Sequence, residues 1–154
     1  MAAGGTFDLQ DFLPYLLNQA AEATSRGFQS TYRDRYGLTR TQWRVMANLG
    51  RFGAMTARDI CRISHIEKTK VSRAVAGMEA EGLLTRATSD QDRRVENLSL
   101  TPKGRAVFAE IGQRALAFDA DLRTRLGPDV AARVDSILRE IIALQSDGAI
   151  TEDD

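Results

Sequence analysis

The stretch from Thr56 to Arg94 constrains this chain most, because it reads as helix, short turn, helix, strand, charged turn and strand in one uninterrupted run. In the second helix, about Lys68 to Glu81, Val71, Val75 and Met78 recur at i, i+4 and i+7 and form one apolar stripe. Thr69, Lys70, Ser72 and Arg73 fall on the opposite face. This order of elements spells a winged helix-turn-helix. A helix face of hydroxyls and cations suits the DNA major groove, where arginine reads guanine edges and serine or threonine bonds to base edges.

The formal net charge is zero, which opposes nucleic-acid binding until charge is counted by region. Residues 1–25 hold three acids and no base, whereas residues 26–73 hold eleven Lys/Arg against three acids. Residues 74–105 carry five of each sign, and residues 106–154 carry five Lys/Arg against ten acids. The basic density therefore falls on the two helices expected to meet DNA, and local charge governs counterion release at a contact face.

With 154 residues, 43% of them hydrophobic, the chain is long enough for one compact unit with a core of its own. The opening Met-Ala-Ala-Gly-Gly has no charged region followed by an apolar run, and no stretch is apolar enough to cross a membrane, so a cytoplasmic location without membrane association is expected. Cys61 stands alone, which excludes an internal disulfide and any multi-cysteine zinc site. His65 is the single histidine, so no metal site and no cofactor is expected. Paired carboxylates, a glycine-rich phosphate loop and a nucleophile elbow are all missing, which argues against an enzyme.

Outside the reading region the pattern is helical. Residues 11–35 predict a helix opened by Asp11, with Pro14 in its first turn and Gly37 as its stop. Phe12, Tyr15, Leu16, Gln19 and Ala20 lie on one side and Leu13 and Leu17 on another, so this helix has two apolar strips and needs two partners. Thr39 with Gln42 predicts a capping box and a short helix to about Asn48, whose apolar face holds Trp43, Met46 and Ala47, with Gly50 and Gly53 breaking the chain. Thr56 with Asp59, and Ser64 with Glu67, predict two further helix starts, with Ile60 and Ile63 facing inward.

Residues 83–88 and 95–100 predict a hairpin whose tip holds Asp92, Arg93 and Arg94. Asp92 can hold one arginine extended while the other enters a narrow minor groove. Thr101-Pro102 starts a helix to Leu126, in which Phe108, Ile111, Ala115, Phe118 and Leu122 follow the 3, 4, 3, 4 spacing of a coiled-coil seam. Gly127-Pro128 stops it, and a last helix from about Asp129 to Leu144 has Val130, Val134, Ile137 or Leu138, and Ile141 on one stripe, with frayed residues from Ser146 onward. The fold class is mainly α with a small β-hairpin wing. Residues 38–100 form the winged helix-turn-helix and residues 8–36 and 101–146 the flanking helices, within one unit over 1–154.

Element order and local motifs together resemble the multiple-antibiotic-resistance regulator (MarR) family of bacterial transcription factors. The resemblance rests on Lys68-Thr-Lys-Val-Ser-Arg-Ala-Val, Met78-Glu-Ala-Glu-Gly-Leu-Leu-Thr-Arg86, Asp92-Arg-Arg94 and Leu98-Ser-Leu-Thr-Pro-Lys-Gly104, in that order and spacing. It implies a homodimer in which the first and last two helices form the dimerisation region, and two winged regions that read a pseudo-palindrome in double-stranded DNA. It also implies base reading by Ser72 and Arg73 and minor-groove entry by Arg94. A two-fold dimer would cover the Phe108, Ile111, Phe118 and Leu122 seam and the two-sided first helix isologously.

DNA-contacting residues are thus expected at His65, Lys68, Thr69, Lys70, Ser72, Arg73, Arg93 and Arg94. His65 has two readings, a phosphate or effector contact and a turn residue that caps backbone. Redox-sensing members carry a cysteine near the start of the first long helix; this chain has none there, and Cys61 beside Ile60 reads as a small core residue. Trp43 fits a core position. In members that bind aromatic acids the pocket lies near Trp43 and the inner face of the first helix, so Phe12, Tyr15, Gln19, Trp43 and Arg44 are the candidate ligand residues. A small aromatic acid or its coenzyme A thioester is the expected effector of a repressor, and a winged-helix protein-interaction module without effector response is the competing reading.

Overall fold

The computed structural model describes residues 5–148. A single-turn 3-10 helix, Leu9–Asp11, precedes six α-helices: α1 (Leu13–Tyr36), α2 (Arg40–Phe52), α3 (Ala57–Ser64), α4 (Lys68–Ala80), α5 (Pro102–Leu126) and α6 (Pro128–Gly148). Three strands, β1 (Met55–Thr56), β2 (Leu84–Thr88) and β3 (Glu96–Leu100), form one antiparallel sheet in the order β1-β3-β2. The chain divides into two compact units, one up to Arg114 and one from Ala115 onward. The mainly helical fold with a small hairpin is the one the pattern predicts, and the described part of residues 101–146 is helical apart from the breaks at Thr101 and Gly127. Helix α6 continues past Leu144 to Gly148, so residues 146–148 are helical rather than frayed as expected, and residues 149–154, the rest of that segment, lie outside the described residues.

Local chemistry sets most helix starts. Thr39 Oγ1 accepts from Gln42 N at 3.1 Å while Gln42 Oε1 accepts from Thr39 N at 3.0 Å, a complete capping box. Thr56 Oγ1 accepts from Asp59 N at 3.1 Å, and Thr101 Oγ1 accepts from Gly104 N at 3.0 Å. Gly37, at φ 66°, closes α1 in the left-handed region that a Cβ disfavours. Three other boundaries differ from expectation. Asp8, not Asp11, supplies an N-terminal cap, and it caps the 3-10 turn, while α1 itself starts at Phe12 without a side-chain cap. Helix α2 continues through Gly50 to Phe52, because the Phe108 ring packs where a Gly50 Cβ would stand and glycine is needed there for approach rather than for a break. Ser64 is the last residue of α3 and not a cap; its Oγ accepts from Asn48 Nδ2 at 2.7 Å, which ties α3 to α2.

The core of the first unit is built from Val45, Met46 and Leu49 of α2, Ile60 of α3, Val71, Val75 and Met78 of α4, and Leu84, Leu98 and Leu100 of the sheet. Ile63, expected inside with Ile60, is 40% exposed, since three positions on from Ile60 the eight-residue α3 turns it past the α4 contact. The two-residue β1 has no hairpin signal in sequence. It pairs Met55 with Leu98 and Thr56 with Asn97 and so caps the free edge of β3.

Two expected seam residues have other partners. Ile111 is fully buried in the first unit's core, and Phe108 packs on the same core against Trp43 and Gly50. The 3, 4 spacing is real, but at these two positions the chain itself lies opposite: Ile111 has no surface left for a second copy, and the Phe108 ring is already partly covered.

Candidate nucleic-acid interface

Helix α4 owes its orientation to its apolar stripe. Val71, Ala74, Val75 and Met78 are buried, so Lys68, Thr69, Lys70, Ser72 and Arg73 are all exposed. A three-residue turn, His65 to Glu67, joins α3 to α4. His65 sits at φ 52°, ψ 45° and its N–H donates to Cys61 O, closing α3 in the way glycine or asparagine commonly does. Among the described residues it is the only non-glycine residue at positive φ. Glu67 caps α4 in position but makes no side-chain hydrogen bond to it, so the N–H groups of the first turn are left to solvent or to an anion.

The hairpin pairs Leu84 with Leu100, Arg86 with Leu98 and Thr88 with Glu96. Ser89 N donates to Val95 O at 2.8 Å and closes its base. At the tip Asp92 Oδ1 accepts from Arg94 N at 3.0 Å and lies 3.6 Å from Arg94 Nε. The arginine held by Asp92 is therefore Arg94, and its side chain remains 94% exposed, so the pair orients the residue without neutralising it. Arg93 is exposed beside it. Arg86 was not singled out by sequence. It lies 3.3 Å from Glu79 of α4 and 3.4 Å from Glu96 of β3, and so links α4 to the hairpin.

The start of α5 locks this arrangement from behind. Thr101 Oγ1 donates to Gly82 O at 2.6 Å, Thr101 N to Leu83 O at 3.0 Å, and Lys103 Nζ to Glu81 O at 2.8 Å. A Cβ at Gly104 would overlap the Leu83 carbonyl oxygen, so this position accepts only glycine at the observed spacing.

The five candidate ligand residues do not converge within one chain. Trp43 lies among Phe28, Tyr32 and Phe108, with centroid distances of 6.0, 6.4 and 6.5 Å. Phe12 is sixteen residues before Phe28 along α1, about 24 Å at the helical rise, and Tyr15 is about 20 Å away on the same count. Gln19 is about 14 Å from Phe28 on the same count. Arg44 is exposed on α2 next to Trp43 in sequence. Cys61 packs half-buried against the core, as expected of a small apolar residue. Among the described residues no group of His, Cys, Asp or Glu side chains is placed to hold a metal ion, and no helix is long and apolar enough to cross a membrane.

Comparison with known proteins agrees with this geometry. The MarR family model matches residues 36–95, the span from the end of α1 to the wing tip. A MarR family transcriptional regulator from Silicibacter pomeroyi is 33% identical, superposes with a TM-score of 0.80, and the match covers 92% of this chain and 99% of that one. BpsR of Bordetella bronchiseptica, whose DNA binding is regulated by 6-hydroxynicotinic acid, is 26% identical with a TM-score of 0.79, over 89% of this chain and 97% of its own. The homoprotocatechuate degradative operon repressor of Escherichia coli is 26% identical over 136 residues, 88% of this chain and 91% of that protein. This chain belongs to the MarR family of transcriptional regulators.

Proposed function

We propose that this protein is a ligand-responsive repressor that binds a pseudo-palindromic operator as a homodimer and is released by a small aromatic acid or its coenzyme A thioester. The observation that carries the DNA half is the α4 surface, where Lys68, Thr69, Lys70, Ser72 and Arg73 are all exposed over a buried apolar stripe. Ser72 and Arg73 reach base edges in the major groove; Arg94, with Arg93 beside it, enters the minor groove; His65, Lys68, Thr69 and Lys70 contact phosphates at the helix start. Residues 38–100 act as the reading region.

The dimer half rests on apolar surface. Phe12, Leu13 and Leu16 of the first unit are 45–57% exposed, and Leu116, Ile137 and Leu144 of the second are 53–66% exposed. Each unit thus offers apolar surface of its own to a two-fold partner, within residues 8–36 and 101–146. The same partner answers the ligand geometry: Phe12, Tyr15 and Gln19 of one copy and Trp43 and Arg44 of the other line the cleft. The effector class follows from those aromatic and cationic side chains and from the aromatic acids named for two of the relatives above.

The test uses Trp43, the only tryptophan of the chain, as its reporter. Light scattering should give twice the 17.0 kDa chain mass. Fluorescence anisotropy should show tighter binding to the chain's own upstream DNA than to a scrambled duplex. Hydroxybenzoates, hydroxycinnamates and their thioesters are then titrated against Trp43 emission and duplex release together. A folded monomer, equal affinity for both duplexes, or binding that leaves operator affinity unchanged removes the corresponding part of the proposal.

A further inference from the structure

A recess of about 530 Å³ opens between α1, α2 and the α3–α4 turn. Its walls bring together Arg33 of α1, Arg40 and Arg44 of α2, His65 and Glu67 of the turn, and Lys70 of α4. Four permanent cations thus face one lining carboxylate. Arg40 is already paired, Nη1 to Glu22 Oε1 at 2.7 Å, and this ion pair holds the Glu22 carboxyl below its ordinary pKa. Among the described residues neither Arg44 nor Lys70 makes an ion pair, although Glu22, the partner of Arg40, also feels the Arg44 charge. The Arg40 Nε is buried without a hydrogen-bond partner, and the first-turn N–H groups of α4 beside Lys70 have no side-chain cap. Repulsion among cations held this close is relieved by a bound anion, and a single negative charge would answer only part of it.

We propose that this recess is a ligand site for a small oligophosphate or polycarboxylate, bordering the aromatic cleft at Arg44 but distinct from it in its other cations, and that its occupation opposes DNA binding. Arginine forks from two helices and the Lys70 ammonium converge on it, which is the donor set that recognises phosphate oxygens. Lys70 also stands at the start of the reading helix, so an anion held there competes with a duplex phosphate for the same ammonium and the same helix N-terminus. The opposition to DNA rests on the DNA-binding reading above; the site itself does not.

The experiment therefore has two arms, both with the full chain and ionic strength matched with potassium chloride. In the first, without DNA, calorimetry with pyrophosphate should show one saturable site per chain in the millimolar range or tighter, and benzoate should bind this recess much more weakly. Arg44→Gln and Lys70→Gln, both exposed positions, should each weaken pyrophosphate at least tenfold, whereas Arg94→Gln at the wing should not. No saturable binding, or equal loss from Arg94→Gln and Arg44→Gln, would show diffuse screening and overturn the site. In the second arm, the ratio of duplex affinities with and without saturating pyrophosphate is compared between wild type and Arg44→Gln, so that any change in basal DNA affinity cancels. The ratio should fall at least fivefold for wild type and return towards unity in the variant; a ratio of unity for a wild type that binds both pyrophosphate and DNA would overturn the antagonism alone, and failure to bind any duplex would count against the DNA reading and not the recess.

Discussion

Trp43 stacks on Phe108 with ring centroids 6.5 Å apart and ring planes at 29°, and Phe108 on its other side covers Gly50. Helix α5 is thereby pinned to the middle of α2 inside the first unit. Phe108→Ala removes a ring that is only partly buried and should destabilise the fold by about 2–4 kcal/mol. Urea unfolding measures this, and Trp43 emission should shift to the red in the folded variant. A loss well under 1 kcal/mol would show that the stack contributes little.

Gly104 gives a second check on how α5 is attached. Gly104→Ala drives a methyl group into the Leu83 carbonyl oxygen, with Leu100 Cδ2 only 3.3 Å from the same Cβ position. Backbone must move, because a carbonyl cannot rotate away as a side-chain tip can. The expected cost is about 1–3 kcal/mol despite alanine's better helix propensity. A variant with an unchanged or higher melting temperature would contradict the close approach.

Arg73→Ala should weaken operator binding by about 1–3 kcal/mol and narrow the gap between operator and scrambled duplex, if the guanidinium makes a bidentate base contact. Arg94→Ala should weaken binding without moving the major-groove preference. Thr88→Ala, exposed near the wing base, serves as the quiet control. An unchanged operator-to-scrambled ratio for the Arg73 variant would refute its base-reading role.

The Tyr36 hydroxyl donates to Glu110 Oε2, and Arg35 Nη2 lies 2.7 Å from Glu110 Oε1. The hydrogen bond to that carboxylate, with burial, raises the Tyr36 phenol above its usual value near 10. The folded state thus favours the protonated phenol. Its contribution is fully present below about pH 10 and is lost as pH rises through the higher folded-state value. The stability difference between wild type and Tyr36→Phe should accordingly be constant from about pH 7 to 9 and shrink above about pH 10. A difference that stays level through the alkaline range would mean that this bond is not made in solution.

Features that depend on a few consecutive residues were legible in the sequence. Thr39 and Gln42 close their capping box across three residues, Thr101 and Pro102 start α5 where they stand, and the 3.6-residue stripe of Val71, Val75 and Met78 leaves Ser72 and Arg73 outside whatever lies beneath. Their partners are within one turn, so local hydrogen bonding and periodicity decide them. The exposed face of α4 and the hairpin belong to this class. What faces an apolar stripe does not, because spacing states that a side chain is covered but not by what. Phe108 and Ile111 carry the same heptad signal as Phe118 and Leu122, and only packing shows that the first two serve the chain's own core. The strand Met55–Thr56 exists because β3 offers it an edge, and Arg33, Arg44 and Lys70, far apart in sequence, line one recess because α1, α2 and the turn before α4 meet around it. Burial of the apolar stripes drives those meetings, and the charged side chains on the outer faces are placed by where the stripes go.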